Sequence, residues 1–518
     1  MGKFYVTTAI VYVNDKPALH YLYEVVAADV LARYHRMIGD DTFFLTGTDE
    51  HSINVERAAK QQGLPAKVYS DQMAQLYRAV EAQFGISYSR FIRTEDPDHV
   101  AGVQQFIGQM QAKGDIYKGT YSGWYCPSCE AFYQADELND GYCRIHPSIQ
   151  ATWLQEDNYF FALSKYQDRL LQHIEKHPEF IQPESRRNEI LGWLKAGLRD
   201  FSISRSTITW GIPFPGDERH VVYVWGDALV NYITGVGYGT DEATFKRWWP
   251  ADLHIIGKDI TRFHALYWPA MLMSAGVALP KRIWGHGFML YRGQRTSKTA
   301  GTAIDPIEVA SMFGADAVRY LVLREVPFDR DADISLEAMT DRFNADLAND
   351  LGNFVYRSLS MLQRYFDGRV PAPDGDTTKL DADLRKAFEK AVKGQGKCLK
   401  DLNYTGALEL IWAAVNRGNK YIEQSAPWVL AKQSDQRKRL QTVMYSLAEA
   451  IRLTSLLIAP FMPDTAQKIA AQVKADFKTP WVTAQEWGGT VVRTQTTLGG
   501  VLFPRIEKEL ASSSTSSS

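Results

Sequence analysis

Two short turns in this chain carry residues that could hold a metal. The segment YCPSCEAFYQADELNDGYCRIH sets Cys126 and Cys129 with two residues between them, and Cys143 and His146 at the same spacing. Three thiolates and one imidazole on two chelating turns complete a tetrahedral Zn2+ site with no open position, so the metal would be structural and not catalytic. The bland alternative is three incidental thiols beside a surface histidine. A second candidate is the loop RGQRTSKTAGTAIDP, where Arg295 and Lys298 flank hydroxyls among small residues. Mobile cations of this kind suit charge developing on a transferring phosphate, although taken alone the stretch reads as a solvated basic loop. A third is LTGTDEHS, with Asp49, Glu50 and His51 closing an apolar run, where a carboxylate could hold a substrate amine or simply cap a helix.

A fourth is the turn in NDKPALHYLYEVVAADVLARYHR, which opens a helix directly after the apolar run KFYVTTAIVYV. A strand feeding a helix through a short turn is where an open α/β sheet usually binds a nucleotide, because the unpaired N–H groups of the helix attract phosphate. This turn holds no glycine. It crowds Pro17, Ala18, Leu19, His20, Tyr21 and Leu22 into the place where a ligand would need the backbone close.

The elements that must position these groups can be read from periodicity. FYVTTAIVYV, VVAADVLARYHRMIG, DTFFLTGTDE and INVERAAKQQG alternate strand, helix, strand, helix, which predicts a parallel sheet with crossover helices. From Tyr121 to about Ser206 the texture turns aromatic and turn-rich and contains the cysteines, as in an inserted domain; strand-like runs resume with HVVYVWGDALV and DLHIIGKDITRFHALYWPAML. Beyond about Ser335 the period becomes helical. Met339, Phe343, Leu347, Leu351, Phe354 and Leu362 step mostly by three and four, as do Leu384, Phe388 and Val392, and Leu440, Met444, Leu447, Ile451 and Ile458. An antiparallel helical bundle is expected, with DGRVPAPDGDTT as a connection between helices and ASSSTSSS as a disordered, low-complexity tail.

At 518 residues the chain exceeds what one core comfortably serves, so two to four domains, or a domain with large insertions, are expected. A hydrophobic fraction of 45%, a charged fraction of 23% and the lack of any apolar run near the ~20 residues of a bilayer span point to a soluble, cytoplasmic protein without a membrane anchor. The net charge of −2 gives no global case for nucleic acid, so RNA binding would need a local surface. Clustering of three of the four cysteines beside a histidine suits metal better than disulfides.

Taken in order, the segments resemble the methionyl-tRNA synthetases, which are class I aminoacyl-tRNA synthetases. The likeness runs from FYVTTAIVYVN through FFLTGTDEH, YCPSCEAFY, NYFFALSKY, SISR, WGIPFP, YVWGDALVNY, IIGKDITRFHALYWPAML and GADAVRY to LANDLGNFVYR and LFPRIE. It implies an α/β fold: a Rossmann-like parallel sheet in two halves, 1–119 and 207–275, split by an inserted connective domain with a zinc knuckle at 120–206. A connecting segment at 276–335, an all-α anticodon-binding bundle at 336–510 and the tail at 511–518 complete the expectation. It also implies ATP with Mg2+, methionine and tRNA(Met) as partners, structural Zn2+, and formation of methionyl-adenylate followed by transfer to the 3′ end of the tRNA. The dimerising C-terminal module of some members is not expected after LFPRIE, which predicts a monomer.

By match to the family, Tyr12, Trp225, Leu229, Tyr232, His264 and Tyr267 would wrap the thioether side chain, and Asp49 would hold the amine. Aromatic walls suit a polarizable sulfur. Asn353 and Arg357, one helical turn apart, with Trp428, would read and stack on the anticodon. The family's two nucleotide signatures are altered. His-x-Gly-His becomes Ala18, Leu19, His20 and Tyr21, which removes both imidazoles from their places and puts a ring where adenine should lie. Lys-Met-Ser-Lys-Ser becomes Arg295, Thr296, Ser297, Lys298 and Thr299, which keeps both charges. The catalytic groups implied are Lys298, Arg295, His20 and Tyr21, and the ATP contacts Ala18, His20, Tyr21, Ser297 and Lys298. Ser52, Gly226 and Leu22 also depart from the family's usual glycine, bulky apolar residue and alanine, and Gly226 is expected to enlarge or loosen the methionine wall. The alternative to a ligase is a synthetase-derived binding protein, or an altered variant that activates methionine weakly or takes another amino acid or nucleotide.

Overall fold

The computed structural model describes residues 2–127, 131–133, 135–144, 147, 149–291, 293–295 and 304–507, without the side chains of residues 121, 131, 132 and 295. The chain divides into two compact units, one of residues 2–28 and 41–286, the other of residues 29–40 and those from 287 onward.

The first unit is built on a parallel sheet. Lys3–Thr8 lies at its centre, between Asp41–Asp49 on one side and Leu253–Gly257 on the other. Arg90–Arg93 extends the first side; Ile283–His286 and then Ile181–Gln182 extend the second. After a break at Ala9 and Ile10, Val11–Tyr12 rejoins the last residues of Asp41–Asp49. The first helix, Leu19–Met37, is buried on nearly every face as far as Ala32, as expected of a crossover helix in a core and not of a surface helix. The insertion carries an antiparallel sheet ordered Phe201–Ser202, Thr152–Phe161, Ile116–Cys126 and Ala131–Tyr133, and a small hairpin of Leu138–Asn139 with Tyr142–Cys143.

Two runs expected as strands fold differently. Of HVVYVWGDALV only Val221–Val222 is extended, and the chain then coils as Val224–Ala228 and Asn231–Thr234. Of DLHIIGKDITRFHALYWPAML only Leu253–Gly257 is a strand; a 3-10 turn at Lys258–Ile260, a π-helix at Phe263–Tyr267 and an α-helix at Trp268–Ala275 follow. Fully buried apolar runs read alike as strand or helix, because neither period survives when every face is covered.

The second unit is mainly helical. The regular run expected from Met339 onward contains a π-helix, Phe343–Gly352, between the α-helices Leu336–Arg342 and Asn353–Phe366. Its carbonyls find partners on the helix Tyr404–Ser425: Trp412 Nε1 donates to Asp346 O at 3.1 Å and Asn419 Nδ2 to Asp350 O at 3.0 Å. Two donors seven residues apart lie on one face of that helix, so a single neighbour stabilises the widened turns. The connection after Phe366 ends at Thr378, which caps Lys379–Lys400 in a capping box with Asp381. Helix Arg437–Ile458 carries the stepped core residues Leu440, Met444, Leu447, Ile451 and Ile458, all fully buried. Arg319 is buried without exposure and bonds Phe461 O, Pro460 O and the Asp29 carboxylate, the last at 2.7 Å. Its charge is thereby paired and hydrogen-bonded, the condition for holding a guanidinium in a core.

Among the described residues no helix is long and apolar enough to cross a membrane. The tail at 511–518 lies outside the described residues.

Candidate active site

In the parallel sheet, chain order runs outward from Lys3–Thr8 to Arg90–Arg93 on one side and to Ile283–His286 on the other, with Ile181–Gln182 added beyond, so the order reverses at Lys3–Thr8. Ligands of open α/β sheets bind beyond the carboxyl ends of the strands at such a reversal. Tyr12 and Asp49 lie there as register partners on adjacent strands. From the other side come Gly257 and, after it, the π-helix bearing His264 and Tyr267.

The expected amino-acid residues meet as a chain of rings. Trp225 stacks flat on Phe263 with centroids 3.9 Å apart, and Tyr12 and His264 present edges to it at 6.4 and 6.3 Å. Tyr267 meets Phe263 edge-on at 5.2 Å and stacks on Phe201 at 4.1 Å. Leu229 is buried just past the helix that carries Trp225. His264 Nδ1 lies 3.0 Å from Ile260 O and must donate to it, which leaves Nε2 to accept from Tyr232 Oη at 2.7 Å. Burial lowers the His264 pKa to about 4, against weaker opposing effects of the Ile260 carbonyl and Asp259, so the ring is neutral. An uncharged donor–acceptor pair among rings suits an uncharged thioether. Asp49 adjoins Glu50, and Glu50 is committed elsewhere: Arg93 grips both its oxygens at 2.6 Å and Thr48 Oγ1 donates to it at 2.8 Å.

The opening turn of the first helix is closed. Ala18 O accepts from Tyr21 N at 3.0 Å and from Leu22 N at 3.3 Å, and Ala18, Leu19, Tyr21 and Leu22 are all buried; His20 alone faces solvent. Tyr21 turns inward, gives its hydroxyl to Glu81 Oε1 at 2.6 Å and meets Tyr77 edge-on at 4.9 Å. Burial, with the Glu81 carboxylate beside it, holds the Tyr21 pKa well above the phenol range. Tyr77 and Tyr69 in turn donate to Asp15 O and Asn14 O, tying the turn to the helix Ala66–Gln83. The Tyr21 hydroxyl therefore reaches a phosphate only by leaving Glu81.

Two of the other departures also have local explanations. Ser52 caps the helix Ile53–Gln61 by accepting from Val55 N at 3.1 Å. At Gly226 a Cβ would stand 2.6 Å from Ile203 Cδ1, so Ile203 occupies the volume and the expected enlargement of the wall does not occur.

Of the metal candidates, Cys126 ends the strand Ile116–Cys126 and Cys143 ends Tyr142–Cys143; both are buried and neither is in a disulfide. Cys129 and His146 lie outside the described residues, and no cluster of three metal-ligating side chains occurs among those described. Thr296, Ser297, Lys298 and Thr299 also lie outside them, and Arg295 is described only as backbone in the strand Gln294–Arg295.

In the helical unit Asn353 is exposed at the start of its helix, and Arg357 bonds Glu423 Oε1 at 2.6 Å, on the last turn of Tyr404–Ser425. After Ala426, in the left-handed region at φ 42°, comes Pro427–Leu430 with Trp428 38% exposed. The Arg357 guanidinium thus lies at the C-terminal end of Tyr404–Ser425, with Trp428 just past that end.

The model of the class I tRNA synthetases (M) matches residues 4–146 and 133–359, and that of the anticodon binding domain of methionyl tRNA ligase matches residues 370–514. The chain is 46% identical over 515 residues to the methionine–tRNA ligase of Caldanaerobacter subterraneus, across 98% of this chain and 80% of that one. The chain belongs to the methionyl-tRNA synthetases. The ligase of Brucella suis is 45% identical over 90% of this chain and 91% of its own. A solved Mycobacterium tuberculosis methionyl-tRNA synthetase in complex with methionyl-adenylate is similar with a TM-score of 0.94 and 42% identity, covering 98% of this chain and all of that one.

The family match did not draw attention to Phe263, His254 or Asp227. Phe263 had a signal, its spacing of four from Tyr267 in FHALY. His254 bonds Thr7 Oγ1 at 2.8 Å and lies against Tyr232 with ring centroids 4.2 Å apart; its strand is buried on both faces, so no alternation marked it.

Proposed function

We propose that the chain joins methionine to ATP as methionyl-adenylate and passes the acyl group to the 3′ end of tRNA(Met) in the cytoplasm, acting as a monomer. The ring chain Tyr12–Trp225–Phe263 with the neutral His264–Tyr232 pair, at the carboxyl ends of the strands, is the observation that carries this reading. In it Trp225, Tyr12, Leu229, Tyr232, His264 and Tyr267 enclose the side chain. Asp49 takes the amine, since Glu50 is neutralised by Arg93. Adenylation needs phosphate ligands more than a base, because attack of the carboxylate on the α-phosphate is governed by positioning and charge. We assign that charge stabilisation to Arg295 and Lys298, with Ser297, His20 and Ala18 as further ATP contacts and Mg2+ on the phosphates; Tyr21 joins them only on leaving Glu81.

Zinc belongs to the inserted domain in this reading. Cys126 and Cys143 are buried at strand ends on different hairpins, with Cys129 and His146 completing the donor set by spacing. Asn353, Arg357 and Trp428 receive the anticodon. The alternative of a binding protein that activates nothing is not favoured, because the relatives matched along the whole chain are ligases. Methionine-dependent exchange of pyrophosphate into ATP tests the reading: activity above a no-enzyme control supports it, and none at saturating methionine and ATP overturns it.

A further inference from the structure

Behind the pocket lies a cluster of buried ionisable groups with no part in the chemistry above. His51 Nδ1 meets Asp227 Oδ2 at 2.6 Å, and its Nε2 meets Glu95 Oε1. The other oxygen of Asp227 takes His99 Nε2 at 2.7 Å, and His99 Nδ1 lies 2.8 Å from Thr234 Oγ1. His51, His99 and Asp227 are all buried. A histidine with a carboxylate on each nitrogen must donate from both, so His51 is an imidazolium; burial opposes its charge, but Asp227 and Glu95 outweigh that and raise its pKa to about 10. Lys67 at 3.8 Å from Glu95, Arg93 through Glu95, and His99 through Asp227 are the other charged or titratable groups facing the cluster, and the Trp210 ring stands edge-on to His51 at 5.3 Å.

What the cluster joins is more telling than its charge. His51 is two residues after Asp49, and Asp227 two residues after Trp225. Val224–Ala228 is a helix of five residues with no side-chain cap, too short to hold Trp225 by itself. Gly226 adds no side chain, and Asp227 is the residue of this helix that bonds across to the strand-end loop and to the helix Pro97–Ala112. We infer that His51, through Asp227, is a positioning residue that fixes the distance between the carboxylate for the substrate amine and the indole for its side chain. His99 braces the second oxygen of Asp227 so that the carboxylate cannot rotate away. Breaking the link would leave each subsite intact and spoil their spacing.

This inference rests on the methionine reading. Its test measures His51→Gln and Asp227→Asn by pyrophosphate exchange, with active-site titration to correct for unfolded protein, and in parallel by equilibrium dialysis of labelled methionine. The expected result is a methionine KM and Kd raised tenfold or more, with the KM for ATP within twofold of the parent. Glu95→Gln, which keeps the His51–Asp227 bond, is expected to raise the methionine KM less than threefold and serves where His51→Gln does not fold. A loss confined to the titratable active fraction, with both KM values unchanged, would mean a merely structural cluster and overturn the inference. A parent that binds methionine without exchange sinks the activation reading alone, and the Kd values still decide the inference; a parent that does neither sinks both.

Discussion

The wall of the amino-acid pocket and the opening turn of the first helix belong to the same unit, yet their polar atoms are handled in opposite ways. In the wall, His264 and Tyr232 pair with each other among rings at the strand ends, and the charge that neighbours them is kept on Asp49. In the turn, the one buried hydroxyl, that of Tyr21, is bonded into the core by Glu81, and Ala18, Leu19 and Leu22 fill the rest. The ring cluster is the place we propose for the thioether. The turn is filled by packing. Under the proposed assignment of the rings to methionine and the turn to the nucleotide, substitutions are expected to move recognition of one without the other.

The sharpest way to break the contrast is to give the turn back its imidazoles. Ala18→His, His20→Gly and Tyr21→His together are expected to raise methionine-dependent pyrophosphate exchange by orders of magnitude, since each recovered transition-state donor contributes about 2.7–4 kcal/mol. An unchanged rate would mean that His20 and the basic loop already suffice. On the other side, Trp225→Ala removes the stack on Phe263, and the methionine KM is expected to rise tenfold or more with the ATP KM unchanged, read from the same assay. A parallel rise in both constants would erase the separation.

Smaller effects report on packing. Tyr21→Phe withdraws the hydroxyl from the buried Glu81 and is expected to cost about 1–3 kcal/mol in urea unfolding, while leaving exchange unaltered if the hydroxyl contributes nothing to ATP. The pH dependence of unfolding then isolates the cluster behind the wall. His51 is held protonated to about pH 10 in the folded protein, whereas the unfolded side chain releases its proton near pH 6.5. Its contribution is fully present below about pH 6.5 and is lost as pH rises towards 10, so the urea midpoint should fall across that window and fall less in Glu95→Gln.

Much of this was legible in the residues. The first strand and helix, the cap at Thr378 and the stepped core of Arg437–Ile458 follow from local period and local capping chemistry. The aromatic members of the wall could be named through the family, but not their geometry. What stayed hidden depends on partners remote in sequence: Tyr21 meets Glu81 sixty residues on, and Gly226 packs under Ile203. The run HVVYVWGDALV misled because burial on all sides erases the difference between the two periods. The π-helices were invisible for a related reason, since a stretch such as FNADLANDLG keeps its apolar residues inward with one residue accommodated per widened turn.

That accommodation has a consequence for length. A π turn is an α turn with a residue to spare, so removing one residue between Phe343 and Gly352 would leave a sequence able to wind as ordinary α-helix. The roughly 100° that the lost residue contributed is the angle the wide turn had absorbed, so everything downstream in the same helix would keep its face. Asn353 and Arg357 would stay on the face they share, while the carbonyls of Asp346 and Asp350 would turn back into the α ladder and leave Trp412 and Asn419. A single-codon deletion here would thus be absorbed by the helix itself, at the cost of the two bonds that Trp412 and Asn419 make.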